Sequence, residues 1–323
     1  MRAIPAVIRI AAESVMTDKR VNPFAVPWFD SPMQPLRPFD HESHEDFYVD
    51  VDGSFAEYAR FHREMGDFDS MLRRGRVALV TGDTGCGKSA LVNRCAGWVK
   101  QELGRRGHRV EVVDVTQAAD PDDPIGIPER MSVVCDQLFD QVRDLGVLRP
   151  EVVDEFRGHR DLPHRVYPNL GGYLRADHAL VVLLPEVALA REVVAYARYA
   201  RGRVLFFLES TALGPDDVRE VVRATESFTG LVDLRLGELR EGDVHRFVRK
   251  RFAGHEGGFP RLLEETLDWA SGWVRSVAQL QRSMHSTYGY LMDQRTGYGD
   301  DDVVTKEDIT AEVGRQAGGT GKT

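Results

Sequence analysis

Gly82, Asp83, Thr84, Gly85, Cys86, Gly87, Lys88 and Ser89 form one unbroken run, G-x-x-x-x-G-K-S. Glycines at those positions let successive backbone N–H groups curl around a phosphate. Lys88 supplies a point charge for β- and γ-phosphates, and the Ser89 hydroxyl is a ligand for magnesium. An apolar run, VALVTG (77–82), precedes the glycines, and a helical pattern, SALVNRCAGWVKQEL, follows Lys88. That helix points its positive N-terminal end at the same phosphates. The spacing predicts a P-loop for a nucleoside triphosphate, most simply ATP with magnesium. Cys86 reads as a small filler of the loop, although oxidation there would block a nucleotide. The terminal GGTGKT (318–323) has Gln316 where the first glycine would stand. It reads as a tail and not as a second P-loop.

Hydrolysis needs a carboxylate to orient and activate water beside the P-loop strand. Glu186, ending ALVVLLPE, is the first candidate. An Asp that would support the metal is expected one residue earlier, where the chain has Pro185. Asp177 lies before the strand and is a poor replacement. Glu186 would also suit a helix N-terminus simply as an acid. Glu209, ending VLFFLES (204–210), is the rival carboxylate, and Ser210 beside it is the candidate group to sense a γ-phosphate.

These residues need strands to carry them. VALVTG, RVEVVDV (109–115), ALVVLL (179–184), VLFFLES and LVDLRL (231–236) are short apolar or β-branched runs, with helical spacing between them. The alternation predicts a parallel α/β sheet with helices on both faces. Continuous apolar runs suit strands buried on both sides. After Leu236 the patterns turn helical: REGDVHRFVRKRF, PRLLEETLDWA, a long WVRSVAQLQRSMHSTYGYLM and KEDITAEV. HRFVRKRF is strongly basic, either a solvated face or a contact for nucleic acid or an acidic partner. Before the core, residues 17–46 contain Pro23, Pro27, Pro32, Pro35 and Pro38, which forbid a long helix or central strand. Phe24, Trp28 and Phe39 predict that this arm docks on a surface. His41 and His44 read as part of a solvated charged loop, with metal ligation the alternative. Residues 1–16 are mildly apolar, but Arg9 interrupts them and they read as neither leader nor membrane span.

The 323 residues carry a net charge of -9, which disfavours general nucleic-acid binding. Three cysteines fit neither a disulfide framework nor a zinc site, so a reducing cytoplasm is expected. No run of about 18 apolar residues predicts a membrane span.

The order of P-loop, strand-end glutamate and following helical part resembles the AAA+ ATPases, in particular the branch of replication initiators and STAND ATPases. The resemblance covers roughly residues 47–313. It implies a P-loop NTPase sheet followed by a smaller, all-helical lid. The boundaries expected are an arm at 1–46, a core at 47–236, a lid at 237–314 and a disordered tail at 315–323. Glu186 is similar to a Walker B glutamate whose Asp is lost, and Ser210 to sensor 1. Arg275, in Gly272-Trp273-Val274-Arg275, is similar to the sensor 2 arginine that reaches a γ-phosphate from the lid. Arg223 stands where an arginine finger acts on a neighbouring subunit. Phe47-Tyr48-Val49 resembles the segment beside the adenine. The implied activity is a slow ATPase acting as a switch or motor in a homo-oligomer or with a protein partner. The alternatives are a nucleotide-binding scaffold, because of Pro185, and a DNA-associated switch. A winged helix of about 70–80 residues would not fit after the lid.

Overall fold

The computed structural model describes residues 21–66, 68–120, 124–253, 259–294, 297–299 and 301–319. The extreme N-terminus (1–20) and the last four residues of GGTGKT lie outside the described residues.

A helical turn at Glu42–Phe47 closes the arm. It is followed by α1 (Ser54–Met65), α2 (Phe68–Arg74), β1 (Arg76–Thr81), α3 (Lys88–Arg105), β2 (Arg109–Asp114), α4 (Ile127–Asp144) and α5 (Val153–His159). Short helical turns over 163–173 lead to β3 (His178–Leu183), α6 (Ala190–Tyr199), β4 (Val204–Ser210), α7 (Pro215–Thr225) and β5 (Leu231–Arg235). The five strands form one parallel sheet in the order β2-β3-β4-β1-β5. Every residue of β3 is buried, as its unbroken apolar run predicts.

Period-two alternation sorts the strand side chains into two cores. Val77, Leu79, Leu180, Val182, Phe206 and Leu208 pack with residues of α4 to α7. Ala78, Val80, Val181, Leu183, Leu205 and Phe207 pack under α1, α2 and α3. The sheet order corrects one expectation. The strands directly beside the P-loop strand are β5 and β4, which carries Glu209, and β3, with Glu186 beyond its end, lies one strand further out.

The lid contains α8 (Asp243–Phe252), β6 (Arg261–Leu262), α9 (Glu264–Ser271), α10 (Val277–Gln294), β7 (Val303–Val304) and α11 (Lys306–Gly319). Among the described residues it is helical apart from the two-residue pair β6 and β7. Arg261 and Leu262, expected in a helix, pair with Val303 and Val304 instead. Pro260 has no N–H to give to a helix ladder. The last helix runs to Gly319, past the expected boundary at 314.

The arm docks on its own chain and spans both parts. Phe24 is fully buried in the lid core, against Phe247, Phe252 and Tyr288. The side chains of Asn22 and Gln281 tie it there, through bonds to the His285 and Phe24 carbonyls. Leu36 is buried, and its carbonyl accepts from Asn93 of α3 at 2.9 Å. Arg37 pairs with Asp114 at the end of β2. Phe39 packs partly against the core. Trp28 departs from the expectation: it is 75% exposed, stacked on His41, with φ of 70° turning it away from the core. His44 also departs, being fully buried. Its Nδ1 accepts from the Arg37 N–H, and its Nε2 lies 2.8 Å from the Pro27 carbonyl. It is a structural histidine, and no cluster of metal-ligating side chains occurs among the described residues.

Asp52 joins core and lid. It is buried, its N–H donates to the Asp243 carboxylate on α8, and its own carboxylate accepts from the Ser54 N–H. Burial pushes the Asp52 carboxyl up to about 7; Ser54 and Arg240 oppose the rise and Asp243 adds to it.

Phe24→Ala should lower stability by about 3–5 kcal/mol, the range for emptying a buried aromatic site. Denaturant unfolding measures it, and a loss under about 1 kcal/mol would mean that the arm is not anchored there. The folded Asp52 carboxyl keeps its proton to higher pH than the ordinary 3.8, so its contribution is present at low pH and is lost as pH rises toward and through about 7. The melting temperature of the wild type should fall across that window more steeply than that of Asp52→Asn. Asparagine tolerates the φ of 54° at this position. Parallel pH profiles for the two proteins would refute this reading.

Candidate functional site

The P-loop lies at the carboxyl end of β1, an interior strand between β4 and β5. Its shape requires glycine at particular points. Gly82 has φ of 148°, and a Cβ there would sit 2.6 Å from the Leu236 carbonyl oxygen. Gly87, the residue before α3, has φ of 88°. Gly85 has φ of 80°, and a Cβ on it would come within 3.0 Å of Ser276 and Ala278 of the lid. The Gly85 carbonyl accepts from the Ala278 N–H at 3.0 Å, so the lid touches the loop directly. Cys86 is buried against Gly82, and burial pushes its thiol up to about 11. That suits a filler better than a redox group.

Lys88 donates from Nζ to the Gly82 carbonyl at 2.9 Å, the Asp83 carbonyl at 3.2 Å and the Thr211 hydroxyl at 2.9 Å. Ser89 donates from Oγ to Glu209 Oε2 at 2.8 Å. Glu186 accepts from the Thr211 N–H at 2.7 Å and from the Thr211 hydroxyl. Its backbone carbonyl accepts from Arg130 at 2.9 Å. Lys88, Thr211 and Glu186 thus form one hydrogen-bonded group and Ser89 and Glu209 a second, joined through the adjacent Lys88 and Ser89. Burial pushes the Glu209 carboxyl up to about 7. The Ser89 hydrogen bond and the Lys88 charge oppose this, and the Glu186 and Asp114 carboxylates reinforce it.

A cavity of about 370 Å³ opens over this group. Its other walls are arm residues Val26 and Pro32 to Leu36, and lid residues Phe247, Arg251, Val277, Ala278 and Gln281. A smaller cavity of about 70 Å³ adjoins it and is lined by Phe47, Tyr48 and Val49. The Tyr48 hydroxyl donates to the Ala90 carbonyl in the first turn of α3. Arg94 lies over the rings of Tyr48, Phe55 and Tyr58 at 4.2–4.6 Å. The segment expected beside a base thus stands at the far end of the phosphate loop.

Other candidates stand elsewhere. Ser210 is fully buried: its hydroxyl donates to the Val187 carbonyl at 2.6 Å and accepts from the Leu213 N–H. Thr211, the next residue, is the hydroxyl that meets Lys88. Arg275 is exposed at the turn before α10, and neither cavity is lined by it. Arg223 is exposed on the last turn of α7. Pro185 is buried between β3 and Glu186. The basic segment HRFVRKRF divides by face. His245 and Arg249 meet Glu264, and Arg246 meets Asp243, whereas Arg251 turns inward. Thr211 and Arg251 escaped the sequence reading. Arg251 stands four residues after Phe247, which puts both on one helix face, and that spacing was the available signal.

No protein-family model matches the chain, and no curated protein matches it significantly. Solved structures do. ORC1 of Aeropyrum pernix, solved in complex with DNA, superposes with a TM-score of 0.53 at 16% identity, over 80% of this chain and 64% of that one. ORC2 of the same organism, in an ADPNP–ADP form, gives 0.52 at 14% identity, over 80% and 67%. The chain thus spans about two thirds of the length of these proteins. The parallel sheet, the P-loop on an interior strand and the helical part beyond it match these structures in fold, the AAA+ α/β fold.

Proposed function

We propose that this chain binds ATP with magnesium and acts as a nucleotide-dependent AAA+ switch within a protein assembly, with slow hydrolysis. The observation that carries the reading is the 2.8 Å contact between Ser89 and Glu209, at the N-terminus of α3 and inside a glycine-built cradle. Backbone N–H groups at a helix N-terminus, the helix dipole and Lys88 suit a triphosphate. A serine hydroxyl touching a carboxylate suits a hard divalent cation, which takes oxygen ligands and keeps several waters. The residues present therefore fit both groups.

In this reading Lys88 and the P-loop backbone hold the phosphates, and Ser89 holds magnesium. Glu209 supports the metal from β4, in place of the Asp that Pro185 has replaced. Glu186, oriented by its bonds from Thr211, positions and deprotonates the attacking water. Bound magnesium would supply charge neutralisation at the phosphates. Thr211, between Lys88 and Glu186, takes the sensing place first given to Ser210. Arg223 would act on a neighbouring subunit's nucleotide, since its exposed position suits a contact in trans. The Aeropyrum ORC1 structure contains DNA. For this chain a protein partner suits the net charge of -9 better than nucleic acid does. A second reading, a scaffold that binds nucleotide with little hydrolysis, rests on the buried Pro185.

Lys88→Ala should abolish binding of a fluorescent ATP analogue; retained affinity would defeat the P-loop assignment. Glu186→Gln should preserve binding and slow single-turnover cleavage by about 10²–10⁴-fold, the range for a lost general base. Glu209→Gln should instead raise the magnesium concentration needed for ATP binding. Unchanged magnesium dependence in that variant would leave the metal without its proposed support. Equal cleavage by wild type and Glu186→Gln would favour Glu209 as the base.

A further inference from the structure

Arg251 is the one basic residue of its helix that faces inward, and its surroundings leave it incompletely satisfied. It is only 8% exposed. Its Nε and Nη1 atoms are buried and have no hydrogen-bond partner among the described residues. Among the described residues it forms no ion pair with a carboxylate, in contrast to Arg246 and Arg249 on the same helix. Its guanidinium lies 5.0 Å from the centre of the Phe47 ring and 5.1 Å from that of Phe247. Burial lowers its pKa to about 10, so it keeps its charge at neutral pH. The rings and the C-terminal end of α8 offset part of the cost of burying that charge. The bonding directions of Nε and Nη1 remain unused, and an unpaired buried cation is expensive.

The location supplies a reason for that cost. Arg251 lines both cavities, the one over Lys88 and Ser89 and the one beside Phe47 and Tyr48. It stands where the two join, with Gly87 and Ala90 on the opposite wall. A ligand with its phosphates on the P-loop and its base toward Tyr48 would pass this point.

We propose that Arg251 is a ligand-binding residue, a lid-side cation that contacts the phosphate chain of a nucleoside di- or triphosphate opposite Lys88. This rests on the nucleotide-binding reading above and assigns to Arg251 the lid contact that the resemblance gave to Arg275. The guanidinium neutralises phosphate charge in a low-dielectric site, where a charged hydrogen bond is strong. Because Arg251 belongs to α8 and Lys88 to the core, one bound phosphate chain would draw lid and core together.

The test compares wild type, Arg251→Met, Arg251→Gln, Arg275→Ala and Lys88→Ala. Each is titrated with fluorescent ATP and ADP analogues at several salt concentrations and melted with and without ATP. Arg251→Met should weaken both nucleotides about 10- to 100-fold, the worth of a hydrogen bond to a charged group. It should flatten the salt dependence of binding. Its nucleotide-free melting temperature should equal or exceed that of wild type, because an unpaired buried charge is gone. Arg275→Ala should bind as wild type does. Arg251→Gln, which keeps a polar head without charge, is judged by the same criteria and serves if the methionine variant does not fold. Wild-type affinity and salt dependence in the Arg251 variants, with Lys88→Ala inactive, would overturn this proposal alone. A fall in nucleotide-free stability with affinity unchanged would make Arg251 a packing residue and overturn it equally. Absence of nucleotide binding by the wild type would remove the reading beneath it.

Discussion

Everything at the site depends on where the parallel sheet delivers β1. Flanked by β4 and β5, it presents its carboxyl end inside the sheet edge, and the loop that follows must reverse into α3 within a few residues. Only a chain with left-handed conformations at Gly85 and Gly87 can do so. The reversal places Lys88 and Ser89 in the first turn of α3, against the end of β4. There Ser89 meets Glu209, and Lys88 meets Thr211, two residues later on the same strand end. The chemistry of the site is thus a contact between neighbours in the sheet.

The arm gives this site a third wall. Phe24 is part of the lid core, Leu36 is fastened to α3, and the residues between them border the larger cavity. An arm held at both ends must accommodate any movement of lid against core. Its prolines limit the conformations available to it when it is free, which lowers the entropy cost of holding it in place. Asp52 and Asp243 form a second tie, and the Gly85–Ala278 contact a third. Lid and core are therefore linked at the P-loop, at Asp52 and through the arm. A ligand that bridges Lys88 and the lid would act on a joint already fastened at these points.

The P-loop, the strands and their order of appearance were legible in the sequence because each is local. Glycine spacing, period-two burial and unbroken apolar runs are read within a few residues. The helical character of the lid was legible for the same reason, save for Arg261 and Leu262, whose pairing with Val303 and Val304 depends on residues far along the chain. Sheet order was not legible, since nothing in β3 or β4 says which adjoins β1. That is why the sequence ranks Glu186 ahead of Glu209 as the carboxylate beside the P-loop strand, a place the sheet gives to the strand of Glu209. Side-chain direction was equally hidden at Ser210 and Thr211. Adjacent residues at a strand end face opposite ways, and here the buried one is Ser210. Trp28 shows the same limit: its hydrophobicity predicted burial, whereas its backbone turns it outward onto His41.

Pro185 also acquires a different meaning in three dimensions. As a missing acid it argues for a weak site. In the fold, the peptide that follows it remains in register with β4, for the Val187 N–H donates to the Glu209 carbonyl at 2.9 Å. The two strand ends therefore run side by side past Pro185, bringing Glu186 and Glu209 to the same edge of the cavity. A proline there removes a carboxylate without disturbing that pairing, since the N–H used by β4 belongs to Val187. A third acid at this edge would add to the repulsion that already raises the Glu209 carboxyl. With Glu209 bonded to Ser89, the substitution leaves the site with a carboxylate at the serine and another at Thr211. In the proposed reading, the metal-supporting and water-activating tasks are divided between two strands instead of falling to adjacent residues on one.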